Sequence, residues 1–335
     1  MTHPGGGATH TAPPPAPQLG FTMPAFLIRR LLTGLAMLLI ISALAYLLLY
    51  LTGSDIARNL LGDNASQEAV DLRAAELGLD QPLHTRYLSW LGGAITGNLG
   101  RSWFGGSDVT SLLMSRLGVT LTLVVTSTVI SAIIAIALGV WAAVRGGWID
   151  KTIQVFSLTG AAIPNYLIAL GLVALFAINL AWFAPTGYTQ PGASLGGWIA
   201  SVTLPVAALT IGCIAGTAQQ VRSSMLDVMR QDYIRTLRSR GLGPGRIIYR
   251  HALRNAAGPG LSVLGLQFVG LLGGAVVIEQ MFAIPGLGSL SVSSTTQGDI
   301  PVVMGVVILI AAIVITVNLL IDIAQGILNP KVRLS

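Results

Sequence analysis

The chain is nearly without cysteine and poor in charge. Of its 335 residues one is cysteine, Cys213, and 10% are Asp, Glu, Lys or Arg. A single thiol excludes an internal disulfide framework and any multi-cysteine metal site. Its apolar neighbours mark Cys213 as buried and inert. Chemical signatures are missing as well. No Gly-x-x-x-x-Gly-Lys-Ser/Thr loop occurs, so the chain does not cradle ATP in the P-loop manner. Gly-x-Ser-x-Gly, His-Glu-x-x-His and paired intramembrane carboxylates are also absent. No catalytic residue, metal ligand set or bound cofactor is therefore expected. With 53% hydrophobic residues, the composition is that of a polytopic membrane protein. The formal charge of +6 does not point to nucleic acid. The basic excess flanks hydrophobic runs, where it orients a chain in the membrane and meets lipid headgroups.

Residues 1–24 are rich in Pro, Gly, Thr and His and cannot bury enough apolar surface to repay ordering, so a disordered cytoplasmic tail is expected. His3 and His10 read as solvated. A first span, about 31–51, follows Arg29 and Arg30, which hold the N-terminus inside. Residues 25–112 form one unit, this span plus a folded outer subdomain. There Asp55, Asp63, Glu68, Asp71, Glu76, Asp80 and Asp108 mix with Arg58, Arg73, Arg86 and Arg101. Ser-Gln-Glu-Ala-Val-Asp-Leu-Arg reads as an amphipathic helix capped by Ser66.

Residues 113–325 form the transmembrane domain. The second span lies between Arg116 and Arg145, and Trp141 and Trp148 sit where interfacial aromatics are common. From Thr152 to Val221 no charge occurs for about 70 residues, some 105 Å at helical rise, so the chain must fold back. The turn belongs at Pro185-Thr-Gly, Pro191-Gly and Gly196-Gly, giving spans of about 152–181, kinked at Pro164, and 199–221. Span five, about 258–282, carries Gly260, Gly265, Gly270, Gly273 and Gly274, which permit close helix packing. Span six is about 301–321, and residues 326–335 end the chain inside. Fold class is thus all-α: six transmembrane helices, both termini cytoplasmic, and a folded outer loop between helices 1 and 2. Fourteen of the nineteen basic residues then face the cytoplasm; Arg58, Arg73, Arg86, Arg101 and Arg116 do not.

One polar interval breaks the apolar pattern. Residues 222–258 form a cytoplasmic loop, and six arginines fall between Asp232 and Asn255: Arg235, Arg238, Arg240, Arg246, Arg250 and Arg254. Gly241-Leu-Gly-Pro-Gly245 interrupts two helix-compatible pieces. The reading is helix, sharp turn, helix, a rigid basic hairpin at the membrane surface. Arginines beside a membrane also serve simply to hold a loop at anionic lipid.

The spacing resembles the coupling loop of permease subunits in ATP-binding cassette importers, Glu-Ala-Ala-x3-Gly-x9-Ile-x-Leu-Pro. With the glycine on Gly241, Arg235, Thr236 and Leu237 take the Glu-Ala-Ala places, and His251, Leu253 and Arg254 the Ile, Leu and Pro places. Only Gly241 and Leu253 match that general form. Asp-Tyr-x-Arg-Thr, Gly-Leu and Arg-His-Ala-Leu-Arg-Asn match the peptide-permease branch far better, with Leu237 for its usual alanine. Leu77-Gly-Leu-Asp-Gln-Pro-Leu with Tyr87 and Trp90, Gly97-Asn-Leu-Gly-Arg-Ser, Gly273-Gly-Ala-Val-Val-Ile-Glu and Phe282-Ala-Ile-Pro-Gly-Leu-Gly are similar to the same family, although Asn98 stands where it has aspartate and reads as turn chemistry.

The resemblance, to the first-subunit (B) type with the MetI-like fold, implies a peptide-importing permease in the bacterial cytoplasmic membrane. Its partners would be a second, C-type permease, two ATPase subunits that use ATP and Mg, and an extracytoplasmic solute-binding protein. The coupling-loop residues it marks are Tyr233, Arg235, Thr236, Leu237, Arg238, Gly241, Leu242, Gly243, His251, Leu253, Arg254 and Asn255. Asn165, Gln267 and Glu279 are candidates for the translocation path. For Asn165 a helix–helix hydrogen bond is the competing role, and for Glu279 and Asp322 hydration or pairing with arginine. Nickel chelates or glutathione are alternative cargoes. A secondary transporter or channel without ATPase is the alternative class, but it would carry polar, unwound helices at midplane and an internal repeat.

Overall fold

The computed structural model describes residues 23–52, 56–62 and 64–328. Most of the tail, with His3 and His10, lies outside the described residues, as do Asp55, Asp63 and the stretch from Asn329 onward. Among the described residues there are helices and turns and no strand. α1 (Met23–Thr52) is followed by three short helices, α2 (Ile56–Leu61), α3 (Gln67–Glu76) and α4 (Leu83–Ile95). α5 (Val109–Arg145), α8 (Leu195–Met229), α11 (Leu253–Met281) and α13 (Ile300–Leu328) are long; α6 (Gly147–Ala162), α7 (Asn165–Leu172), α9 (Asp232–Ser239), α10 (Pro244–Arg246) and α12 (Leu287–Gln297) lie between them. Among the described residues five continuous helices are long and apolar enough to cross a membrane, so this is a multi-pass membrane protein.

The expected third span is different. It is broken, not kinked, at Pro164. Pro164 lacks an N–H and disfavours helical angles in the residue before it, and Ile163 is extended at φ −90°, ψ 119°. α6 ends there, and α7 continues as a π-helical turn, Val173–Asn179. The Gly196-Gly pair, read as part of the turn, lies in the first turn of α8, started by Ser194, whose hydroxyl accepts from Gly197 N at 3.1 Å.

α5 and α8 make the most extensive pairing, and α11 packs on both. The central core contains Leu123 and Val124 from α5, Leu209 and Cys213 from α8, and Phe268 and Leu271 from α11. Of the span-five glycines, Gly265 abuts Ile321 and Gly274 abuts Asn165, whereas Gly270 and Gly273 face open space. Arg30 pairs with Asp322 at 2.9 Å and ties α1 to α13.

The subdomain between α1 and α5 is anchored on aromatics. Tyr46, Tyr87 and Trp90 cluster at centroid distances of 5.6–6.3 Å, with Tyr87 stacked on Trp90 and Tyr46 edge-on to Tyr87, and Asp299 accepts from Ser102 Oγ at 2.5 Å and Trp103 N at 3.2 Å. Ser66 caps α3 through Ala69 N at 3.3 Å. Asn98 Oδ1 accepts from Gly100 N at 2.9 Å, a local turn contact.

Candidate functional site

The basic interval folds as a hairpin at the end of the bundle opposite this subdomain. α9 is short but sharply two-sided. Ile234 is fully buried, with Tyr233 and Leu237 half-buried beside it. They rest on Val140 of α5, Val221, Met225 and Val228 of α8, and Ala256 of α11. Burying one such aliphatic side chain contributes about 1.5–3 kcal/mol. α9 is thus seated on the ends of three long helices. On its other face Arg235, Thr236 and Arg238 are exposed. Arg235 meets Asp232 at 3.5 Å with both side chains in solvent, a pair worth about 0–1 kcal/mol.

A Schellman turn ends α9. Gly241 N donates to Arg238 O at 2.9 Å and Leu242 N to Leu237 O at 3.2 Å. This turn demands a left-handed residue, and Gly241 has φ +75°. Leu237 and Leu242 meet the same apolar cluster, supplying the hydrophobic contact that accompanies such turns. Gly243 is extended at φ −63°, ψ 147° and does not need to be glycine. Pro244 then opens α10 at a position where its missing N–H costs nothing.

A π-helical segment, Ile247–Ala252, leads into α11. It buries Ile247, Ile248 and Ala252 and exposes Tyr249 and Arg250. His251 and Leu253 are half-buried, Arg254 and Asn255 exposed. Asn255 Nδ2 donates to Tyr233 Oη at 2.8 Å and closes the hairpin across 22 residues. The structure therefore brings the two ends of the sequence motif together around one platform and leaves its arginines outward.

Sequence reasoning missed the contact beside this platform. Arg222 of α8 grips Asp150 of α6 with two hydrogen bonds, Nη2 to Oδ2 at 2.5 Å and Nε to Oδ1. These bonds hold the Asp150 carboxyl below the usual carboxylate range. The available signal was that Arg222 ends a charge-free run whose other end carries Asp150 and Lys151.

The three path candidates fall in two places. Asn165 and Gln267 lie along α8, where Gly212 and Gly216 leave room for them. A Cβ at Gly216 would stand 2.8 Å from Gln267 Nε2, and one at Gly274 3.4 Å from Asn165 Nδ2. Gln267 Oε1 lies 3.7 Å from Cys213 Sγ. Both polar side chains are thus wedged between helices.

Glu279 is fully buried. Its Oε1 accepts from Thr120 Oγ1 at 2.6 Å and its Oε2 from Ser289 N at 2.9 Å, while Thr120 Oγ1 accepts from Leu287 N at 2.8 Å. The carboxyl and the hydroxyl together satisfy N–H groups in the first turn of α12. Gly288 permits the approach: a Cβ there would stand 2.6 Å from Val276 Cα and 3.0 Å from Glu279 Oε2. Thr120 was not singled out from sequence. Among the described residues no group of side chains could hold a metal ion.

Residues 135–334 match the model of the binding-protein-dependent transport system inner membrane component, and residues 23–124 match its N-terminal membrane component. The Bacillus subtilis "Oligopeptide transport system permease protein AppB" is 36% identical over 316 residues, 93% of this chain and 100% of its own. The "Probable peptide ABC transporter permease protein y4tP" of Sinorhizobium fredii is 34% identical over 312 residues, again 93% of this chain and 100% of its own. A solved structure of the MetNI methionine ABC transporter in inward-facing conformations is similar in fold. Its TM-score is 0.50 at 15% identity, covering 65% of this chain and 96% of that one. A hairpin seated on the ends of three long helices, in a chain matched along almost all its length, leads to one conclusion: this chain belongs to the binding-protein-dependent transport system inner membrane component family.

Proposed function

We propose that this chain is the permease subunit of a peptide importer driven by separate ATPase subunits. It would span the bacterial cytoplasmic membrane six times, counting the broken α6–α7 arm, with both termini and the hairpin inside. Two ATPase subunits would dock there and use ATP and Mg. A second, homologous permease would lie alongside, and a solute-binding protein would deliver cargo outside. The peptide cargo is supported by relatives named as peptide and oligopeptide permeases. The observation that carries the energy-input reading is the hairpin itself, exposed arginines on a face whose reverse is buried in three helices.

Such a seat can carry a push. Displacing α9 moves Ile234 within its cluster, and a close-packed cluster transmits displacement instead of absorbing it. α8 leads from there to the Asn165–Gln267 seam, and α11 leads to Glu279 and α12. α11 also leaves Leu266, Val269 and Val277 exposed with Gly270 and Gly273 among them, an apolar face of small relief that suits a second permease.

The test is co-purification followed by reconstitution. ATPase chains are expected to co-elute, and peptide uptake to require ATP. Uptake that collapses when only the proton gradient is removed, with ATP constant and no ATPase bound, would assign the chain to the secondary carriers.

A further inference from the structure

The subdomain between α1 and α5 carries a half-open cavity of about 450 Å³, far from the hairpin and from the Asn165–Gln267 seam. Its inner wall is Tyr50 in the last turn of α1 and Ile300 at the start of α13; its rim carries Arg58, Gln67, Asp71 and Asp80. Arg86 lines it and is 9% exposed. The guanidinium carbon stands 5.5 Å from the Tyr50 ring centroid and 5.9 Å from that of Tyr46. Among the described residues no carboxylate pairs with it.

That is an unusual position for a cation. Guanidinium does not shed its proton, so Arg86 cannot escape burial by neutralising. Aromatic faces offset part of the desolvation but leave most of its N–H donors without an anion. Arg222, only half-buried, shows the ordinary solution, a carboxylate gripped by two bonds. The rim carries two carboxylates and one guanidinium, Arg58, whose hydrogen bond goes to an amide. Arg58 Nη2 donates to Gln67 Oε1 at 2.6 Å, and Gln67 Nε2 to Asp71 Oδ1 at 2.9 Å, which fixes the Asp71 carboxylate at the mouth. Asp80 is exposed beside it. A buried cation within and carboxylates without complement a zwitterion entering anion first.

We propose that this cavity binds a zwitterion, its phosphate or carboxylate held by Arg86 and its primary ammonium by Asp71 and Asp80. Two sources share this chemistry. Phosphatidylethanolamine presents its phosphate toward the bilayer and its ammonium toward water, the polarity of a cavity whose floor lies at the ends of α1 and α13. A free peptide presents a carboxylate and an ammonium in the same sense. Neither source bears on whether the chain is a permease, so failure here leaves that reading intact.

The experiment places the full chain in phosphatidylcholine nanodiscs and measures binding by native mass spectrometry and thermal melting. The probes are phosphatidylethanolamine, phosphatidylglycerol and dialanine. Saturable binding of phosphatidylethanolamine identifies a lipid site, and saturable binding of dialanine a peptide site. Arg86→Gln is expected to weaken either about ten- to a hundredfold, the size of a hydrogen bond to a charged group. Asp80→Asn alters an exposed rim residue that the fold does not need. It should weaken the ammonium-bearing ligand and leave phosphatidylglycerol, which has no ammonium, unchanged. The proposal is overturned if neither zwitterion binds above the phosphatidylcholine background or if Arg86→Gln binds as wild type. Should Arg86→Gln not fold, unchanged zwitterion affinity in Asp80→Asn overturns it equally.

Discussion

Replacing Gly241 isolates the turn from everything around it. A Cβ added there meets nothing within 4 Å, so no neighbour is displaced and the whole effect is backbone strain. At φ +75° a residue with a side chain pays about 1–2 kcal/mol, and a β-branched one sits at the upper end. The entropy such a residue removes from the unfolded chain returns roughly 0.4–1 kcal/mol to global stability but nothing to the choice between turn geometries. About 2 kcal/mol lowers occupancy of the Schellman turn roughly thirtyfold relative to competing conformations. The bonds at risk are Gly241 N to Arg238 O and Leu242 N to Leu237 O. The order of ATP-driven uptake should therefore be Gly241→Asn, Gly241→Ala, Gly241→Val, from mildest to most severe, since asparagine tolerates left-handed angles. Gly243→Ala supplies the control: two residues away, equally exposed, extended, and expected to be near wild type. The assay is peptide uptake in a reconstituted complex, with membrane insertion and subunit association measured separately. Normal transport by Gly241→Val, or equal damage from Gly241→Ala and Gly243→Ala, would refute the reasoning.

Glu279→Gln keeps one acceptor but sets an amide against the N–H groups of α12, and should cost about 1–3 kcal/mol in thermal melting while uptake stays independent of the proton gradient; an unchanged melt would remove the capping role. Asp150→Asn and Arg222→Gln should each destabilise, and the double variant should lose less than their sum in a double-mutant cycle. Because the folded Asp150 carboxyl lies below its ordinary value near 3.9, its contribution is complete above that pH and is lost as pH falls through the lowered value. Stability that instead rises on acidification only in the wild type would contradict the sign. A topology reporter near residue 80 should be external and one near residue 243 internal; the same side for both would end the six-span assignment.

Much of this was legible because local chemistry and long-range structure agree. Six arginines, a glycine-rich break and flanking apolar positions dictate a hairpin whatever it packs on, and Ile234 and Leu237 fall on the face that an eight-residue amphipathic helix must bury. Asn98 and Ser66 act through bonds two and three residues away, within reach of sequence reasoning. What escaped depends on residues far apart. Thr120 reaches Glu279 across 159 positions and Arg222 reaches Asp150 across 72. Periodicity tells which side a residue faces but not what stands opposite. The same limit hid the burial of Arg86, which in a charged subdomain reads as one more solvated arginine. Pro164 announced a distortion, yet whether a helix kinks or breaks is decided by what packs around it, here the glycine face of α8 that receives Asn165.

The exposed face of the hairpin is expected to meet an ATPase. Cys213 is buried, so a cysteine introduced at Ser239 is the one accessible thiol among the described residues. With a thiol-directed crosslinker in the purified complex, Ser239→Cys should join to a co-purified ATPase chain in high yield, and Ser66→Cys, at the start of α3 in the opposite subdomain, should not. Crosslinking from Ser66→Cys alone, or peptide uptake that proceeds with no ATPase bound at the hairpin, would contradict it.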